Sequence, residues 1–223
     1  MKTLLSIAVV LISVIQVNAR SISVSDFNEV RIWGNLKVIL LESEENKVNV
    51  EYDMHEVDIN VENGVLKVKR DKPLSIDSYE SRPIKVVIEY KRLKGLKASA
   101  GARVKTTQAI AGDFLEVEFV SGAQGKIAIE VNDLELKTAS GAQLKISGKA
   151  YSQRTKVVSG GMLNAQGLLC QRTYVKSKTG GQAIVVATET LEATASTGGM
   201  IDFEGGPEFI SIKDNLGGEV REY

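Results

Sequence analysis

From Leu96 onward, hydrophobic and polar positions alternate in short runs, and the runs recur around a small triplet. It reads Ser121-Gly122-Ala123, Ser140-Gly141-Ala142, Ser159-Gly160-Gly161, Thr179-Gly180-Gly181 and Thr197-Gly198-Gly199, with looser copies at Ala100-Gly101-Ala102 and Leu216-Gly217-Gly218. The first glycines stand at 101, 122, 141, 160, 180, 198 and 217, so the spacings are 21, 19, 19, 20, 18 and 19 residues. Five residues before that glycine lies an apolar or small column: Leu96, Val117, Leu136, Thr155, Val175, Ala193 and Ile212. The next column is Lys97, Glu118, Lys137, Lys156, Lys176, Thr194 and Lys213. Three residues after the glycine the column is Val104, Gly125, Leu144, Leu163, Ala183, Ile201 and Val220, followed by Lys105, Lys126, Lys145, Asn164, Ile184, Asp202 and Arg221. A period of two inside a period of about twenty predicts short strands stacked coil on coil. The fold class is all-β, a parallel β-helix with about 20 residues per coil, right-handed because β crossovers strongly prefer that hand.

Each coil must turn, and the glycines supply positive φ or room where two backbones come too close for a Cβ. The Ser or Thr ahead of them is expected to bond to the local backbone. A second corner is expected about ten residues later, at Gly112-Asp113, Asn132-Asp133, Gly148-Lys149, Gly167, Thr188-Glu189 and Gly205-Gly206-Pro207. Residues 20–95 are also β-rich but less regular, with alternating runs and a hairpin at Asn63-Gly64. They are expected to form an N-terminal cap and first coils, with 96–223 the regular coils of the same single domain, 20–223. Residues 1–19 have a basic start at Lys2, an apolar run from Leu4 to Ile15 and Val17-Asn18-Ala19 at the cleavage positions, which reads as a signal peptide. The apolar run is too short to span a bilayer. The expected location is therefore export, to the periplasm, the outer cell surface or the medium.

Charge changes the picture by subtraction. The 28 Lys and Arg cancel the 28 Asp and Glu, so nothing draws the chain toward nucleic acid or an anionic membrane at long range. One Cys and one His leave no internal disulfide and no multi-His metal site, and no cofactor motif is present. His55 lies in a loop-like stretch without a second ligand, and Cys170 after Leu168-Leu169 reads as a small buried residue.

The run Phe27-x-x-Val30-x-Ile32-x-Gly34-x-Leu36-x-Val38, then Asn63-Gly64-x-Leu66-x-Val68 and the serial SGA/TGG coils, resembles the auto-transporter adhesin head GIN domain family. Gly34-Asn35-Leu36 stands, in a different order, at the place of that family's Gly-Ile-Asn-like segment. The resemblance covers residues 20–223 and implies an exported Gram-negative bacterial β-helix protein with an adhesin-like role. It brings no catalytic residues.

Three function classes follow. The first is a non-enzymatic binding protein contacting an anionic glycan or surface partner along a solenoid face. Its candidate residues are Lys137, Lys156 and Lys176, with Gln124, Gln143 and Gln182 from the column Arg103, Gln124, Gln143, Met162, Gln182, Met200 and Glu219. The second is a polysaccharide lyase or hydrolase, which would need two carboxylates facing one groove; Glu116, Glu118, Glu130, Asp202 and Glu204 are the candidates. The third is a module that self-associates weakly through the solenoid ends. Trp33, Phe27 and Tyr52 are read as core or cap packing, with sugar stacking as the alternative.

Overall fold

The structure is a computed structural model describing residues 19–51, 56–70 and 82–223; the expected leader up to residue 18, together with Tyr52 and His55, lies outside the described residues. Its strands in chain order are β1 (Ala19–Ser23), β2 (Glu29–Trp33), β3 (Leu36–Glu42), β4 (Lys47–Glu51), β5 (Val57–Glu62), β6 (Val65–Arg70), β7 (Ile84–Tyr90), β8 (Gly95–Ser99) and β9 (Arg103–Thr106). These are followed by β10 (Ile110–Phe119), β11 (Gln124–Ala139), β12 (Gln143–Val158), β13 (Met162–Lys178), β14 (Gln182–Val186), β15 (Thr190–Ser196), β16 (Met200–Glu204), β17 (Phe209–Asn215) and β18 (Glu219–Glu222). They form a β-solenoid with about 19 residues per coil.

Two parallel ladders make up each coil. The A ladder precedes the triplet and stacks β6, β2, β8, the second halves of β10 to β13, β15 and β17. The B ladder follows the triplet and stacks β7, β3, β9, the first halves of β11 to β13, β14, β16 and β18. The register agrees with the columns read from the sequence: Arg103, Gln124, Gln143, Met162, Gln182, Met200 and Glu219 are successive partners. Inward alternation buries Leu96, Val117, Leu136, Thr155, Val175 and Ala193 between the ladders, while Ile212 in the last coil is 41% exposed.

Two departures from a uniform period have local causes. Between β12 and β13, Lys145 pairs with Asn164 but Ser147 pairs with Gly167, so β13 carries one extra residue in a bulge. The coil there is 20 residues long instead of 19. Gly148 and Gly167 belong to this irregular stretch of the B ladder, correcting the expectation that they turn the second corner. The ladder is interrupted instead at the exposed Asn132, between the paired Val131 and Asp133. The N-terminal segment departs further, because β2 lies between β6 and β8. The first coil in the chain is thus enclosed by two coils made after it. Beyond β6 and β7, the antiparallel strands β5, β4 and β1 cover this end of the solenoid.

The corners themselves hold two consecutive left-handed residues. Ser140 has φ 52° and Gly141 φ 71°, and Ser159 and Gly160 have 50° and 69°. This is the type I′ pattern, the same as at Asn63-Gly64, with φ 52° and 74°. The expectation that the Ser or Thr hydroxyl bonds the local backbone is not met: Ser121, Ser140, Ser159, Thr179 and Thr197 are exposed and carry no side-chain hydrogen bond. What joins corner to corner is backbone, the Gly141 amide donating to the Ser159 carbonyl at 3.3 Å and the Gly160 amide to Thr179 at 3.1 Å.

Candidate binding groove

Strand alternation sets the outward side chains of the B ladder in two parallel columns, two residues apart along each strand. One is Lys37, Arg103, Gln124, Gln143, Met162, Gln182 and Met200; the other is Ile39, Lys105, Lys126, Lys145, Asn164, Ile184, Asp202 and Arg221. Between them runs a groove of about 600 Å³, floored by the strand backbones at Val104, Gly125, Leu144, Leu163 and Ala183. It crosses the coils along the solenoid axis, from Lys37 to Arg221. With strands about 4.8 Å apart, those eight coils span roughly 34 Å.

The groove contains an unbalanced charge. Among the described residues Lys37, Lys105, Lys126 and Lys145 have no ion-pair partner, and Arg103 meets only the amide oxygen of Asn35, at 3.3 Å. No acid occurs in either column before Asp202, which is held by Arg221 at 2.5 Å. The A ladder is organised differently. Its outward column runs Lys67, Arg31, Lys97, Glu118, Lys137, Lys156, Lys176 and Thr194. Carboxylates are interleaved in its earlier coils, where Lys97 pairs with Glu116 at 3.0 Å, Lys137 with Glu118 at 2.5 Å and Arg154 with Glu135 at 3.3 Å, while Lys156 and Lys176 have no ion-pair partner among the described residues.

The six residues singled out in the sequence therefore do not share a face. Gln124, Gln143 and Gln182 line the groove, whereas Lys137, Lys156 and Lys176 stack in the A ladder. The triplet corner stands between Lys137 and Gln143 and between Lys176 and Gln182, so the two columns lie on different ladders. The second lysine column, Lys105, Lys126 and Lys145, is the one that joins the glutamines.

The other singled-out residues fall elsewhere. Glu116 and Glu118 are engaged by lysines, Asp202 by Arg221, and Glu204 accepts a hydrogen bond from Gln166 Nε2 at 2.6 Å. Phe27 is buried, but Trp33 is 51% exposed on the A ladder, with Lys69 Nζ 5.4 Å from its ring centre. Cys170 is fully buried, its Sγ 3.3 Å from the Arg172 carbonyl, and burial pushes its thiol pKa up, away from a reactive thiolate. No cluster of metal-ligating side chains occurs among the described residues. No helix there is long and apolar enough to cross a membrane.

The fold and the site together define a β-solenoid with a groove along its axis. The chain belongs to the family described as "Putative auto-transporter adhesin, head GIN domain", which it matches over residues 26–207. That span takes in β2 to β16 and leaves the last coil outside. Solved structures of the same fold include a putative adhesin from Bacteroides fragilis, 18% identical with a TM-score of 0.80, covering 92% of this chain and 96% of that one. A putative adhesin from Parabacteroides merdae is 22% identical with a TM-score of 0.69, covering 92% and 95%. A putative lipid binding protein from Parabacteroides distasonis is 19% identical with a TM-score of 0.65, covering 92% and 96%. No curated protein matches the chain. Family membership supports an adhesin-like role at the exported or surface side of the cell.

Proposed function

We propose that the protein is an exported, non-enzymatic binding protein that holds an acidic glycan or similar extended anionic ligand in the B-ladder groove. The observation that carries this reading is the set of five cations, Lys37, Arg103, Lys105, Lys126 and Lys145, facing one groove without a carboxylate among them. Cations left unpaired on one concave surface concentrate an anionic partner there, although the protein as a whole is neutral. The engagement of Glu116, Glu118 and Asp202 by basic residues favours binding over glycoside chemistry. The relative described as lipid binding shares only the fold at 19% identity.

The test compares two triple variants by calorimetric titration with an oligogalacturonate. Replacing Lys105, Lys126 and Lys145 with Gln should weaken binding at least tenfold and remove most of its salt dependence, because exposed charge contacts are screened over about 8 Å at physiological ionic strength. Replacing Lys137, Lys156 and Lys176 with Gln should change affinity less than twofold. The opposite ranking moves the site to the A ladder, and no binding by the unaltered protein discards the acidic-glycan reading.

A specific observation also favours weak self-association. Among the described residues β17 pairs on one side only, with β15, and leaves Phe209 68%, Ile210 52% and Ile212 41% exposed. An uncovered edge strand is a template for another. Two copies of β17 paired antiparallel about Ser211 would set Ile210 against Ile212 of the second copy. Sedimentation velocity over a concentration series should then show a dimer that Ile210→Lys abolishes; a monomer at every concentration rejects it.

A further inference from the structure

The groove changes character along its length. Lys105, Lys126 and Lys145 occupy three successive coils, and in the next three the lining has no cation and pairs Met162 with Asn164, Ile184 with Gln182 and Met200 with Asp202. Met162 is 39% exposed, and Ile184 and Met200 are half-buried. The outward side of a strand that faces water ordinarily carries polar side chains. The same coils obey that rule on the A ladder, where the outward residues are Tyr174, Lys176, Glu192 and Thr194. The apolar run is thus a property of the groove and not of this end of the solenoid. Apolar side chains gathered in a concave surface mark a place where something apolar is covered. Methionine, unbranched and polarisable, suits a flexible hydrocarbon partner.

An evenly charged polymer fits only half of this surface. Past Lys145 its anionic groups would meet no cation until Arg221, which Asp202 already holds, and Glu219 stands beside it. A ligand matched to the whole length is anionic at one end and uncharged and apolar at the other. Resting on the reading of the groove as an anion-binding site, we infer that its ligand is an anionic amphiphile. The acidic head lies on Lys105, Lys126 and Lys145, and the hydrocarbon chain runs over Met162, Ile184 and Met200. From the Lys145 coil to the Met200 coil is three strand spacings, about 14 Å, which leaves room for a medium-length chain.

Calorimetric titration of the full chain with laurate, below its micelle-forming concentration, tests this. Laurate should bind saturably and at least tenfold more tightly than acetate. The variant Met162→Ser/Ile184→Ser/Met200→Ser should lose at least tenfold of laurate affinity and keep oligogalacturonate affinity within twofold, whereas the Lys105, Lys126 and Lys145 triple change to Gln should weaken both. Unaltered circular dichroism and melting would establish that the outward substitutions leave the coils intact. Oligogalacturonate binding without laurate binding, or laurate binding indifferent to the serine variant, overturns the amphiphile and leaves the anion groove standing. Failure of both probes overturns both readings.

Discussion

Gly160 and Gly161 stand side by side and are required for different reasons. Gly160 has φ 69° with open space where a Cβ would go, so Gly160→Ala carries only the left-handed backbone penalty, about 1–2 kcal/mol. Gly161 has ordinary backbone, but a Cβ there would stand 2.5 Å from the Thr138 carbonyl oxygen one coil away. Gly161→Ala must therefore displace backbone and should cost more, roughly 3 kcal/mol, with the order of the two visible in urea midpoints. Tyr90 offers a second single-residue test. It is 2% exposed, its hydroxyl has no protein partner, and burial together with the Glu42 charge pushes its pKa to about 12. The folded protein thus keeps that proton where the unfolded chain, near pH 10, gives it up. The contribution is complete below about pH 10 and is lost as pH rises toward 12, on the order of 2–3 kcal/mol. Tyr90→Phe should flatten the stability profile over that window; an unchanged slope would mean that another group sets alkaline unfolding.

The short coil shows how an element obtains polar groups in its core. From Arg172 to its partner Thr190 is 18 residues, and β14 ends early, with Val186 and Ala187 drawn into the interior. The Val186 carbonyl then accepts from Thr173 Oγ1 at 2.7 Å and from Gln153 Nε2 at 3.4 Å. Gln153 also donates to Thr173 Oγ1 at 2.9 Å. Both residues occupy an inward column that is Leu115, Leu134 and Leu191 in other coils. Thr173→Val, close in shape, should cost about 1–3 kcal/mol in unfolding free energy by stripping that carbonyl of its better donor, although it makes the column more apolar. At this scale the sequence was legible where one rule applied coil after coil. The alternation of Leu96, Lys97 and their copies identified each ladder's inside and outside, and the glycine spacings anticipated the register. It was silent where partners are chosen in space. Nothing near β2 says that β6 and β8 will enclose it. The separation of the lysines from the glutamines was legible, since the triplet corner stands between Lys137 and Gln143, but their grouping on one face overlooked it. The polar Gln153 and Thr173 were visible as exceptions to their column, but their reason, a carbonyl turned inward by a short coil, lies in the next turn of the chain.

For the molecule as a whole, the two ends are unlike. Antiparallel strands cover the first end, while in the last coil β17 pairs with β15 alone among the described strands. The enclosed position of β2 and β3 bears on the order in which structure can arise. Within the regular coils each strand finds its partner 18 to 21 residues away, but β2 meets β6 with Val30 against Leu66 and β8 with Val30 against Leu96, both farther along the chain. Closing those longer loops costs more chain entropy before any contact offsets it. Winding is therefore expected to start in the middle, among β11, β12 and β13, and to proceed toward both ends. Pulse-labelled hydrogen exchange during refolding should find amides of β12 protected before those of β2; simultaneous protection would contradict it. A chain leaving a membrane pore with its amino end first would emerge with its earliest coil covered on one side only, until β8 and β9 had passed through.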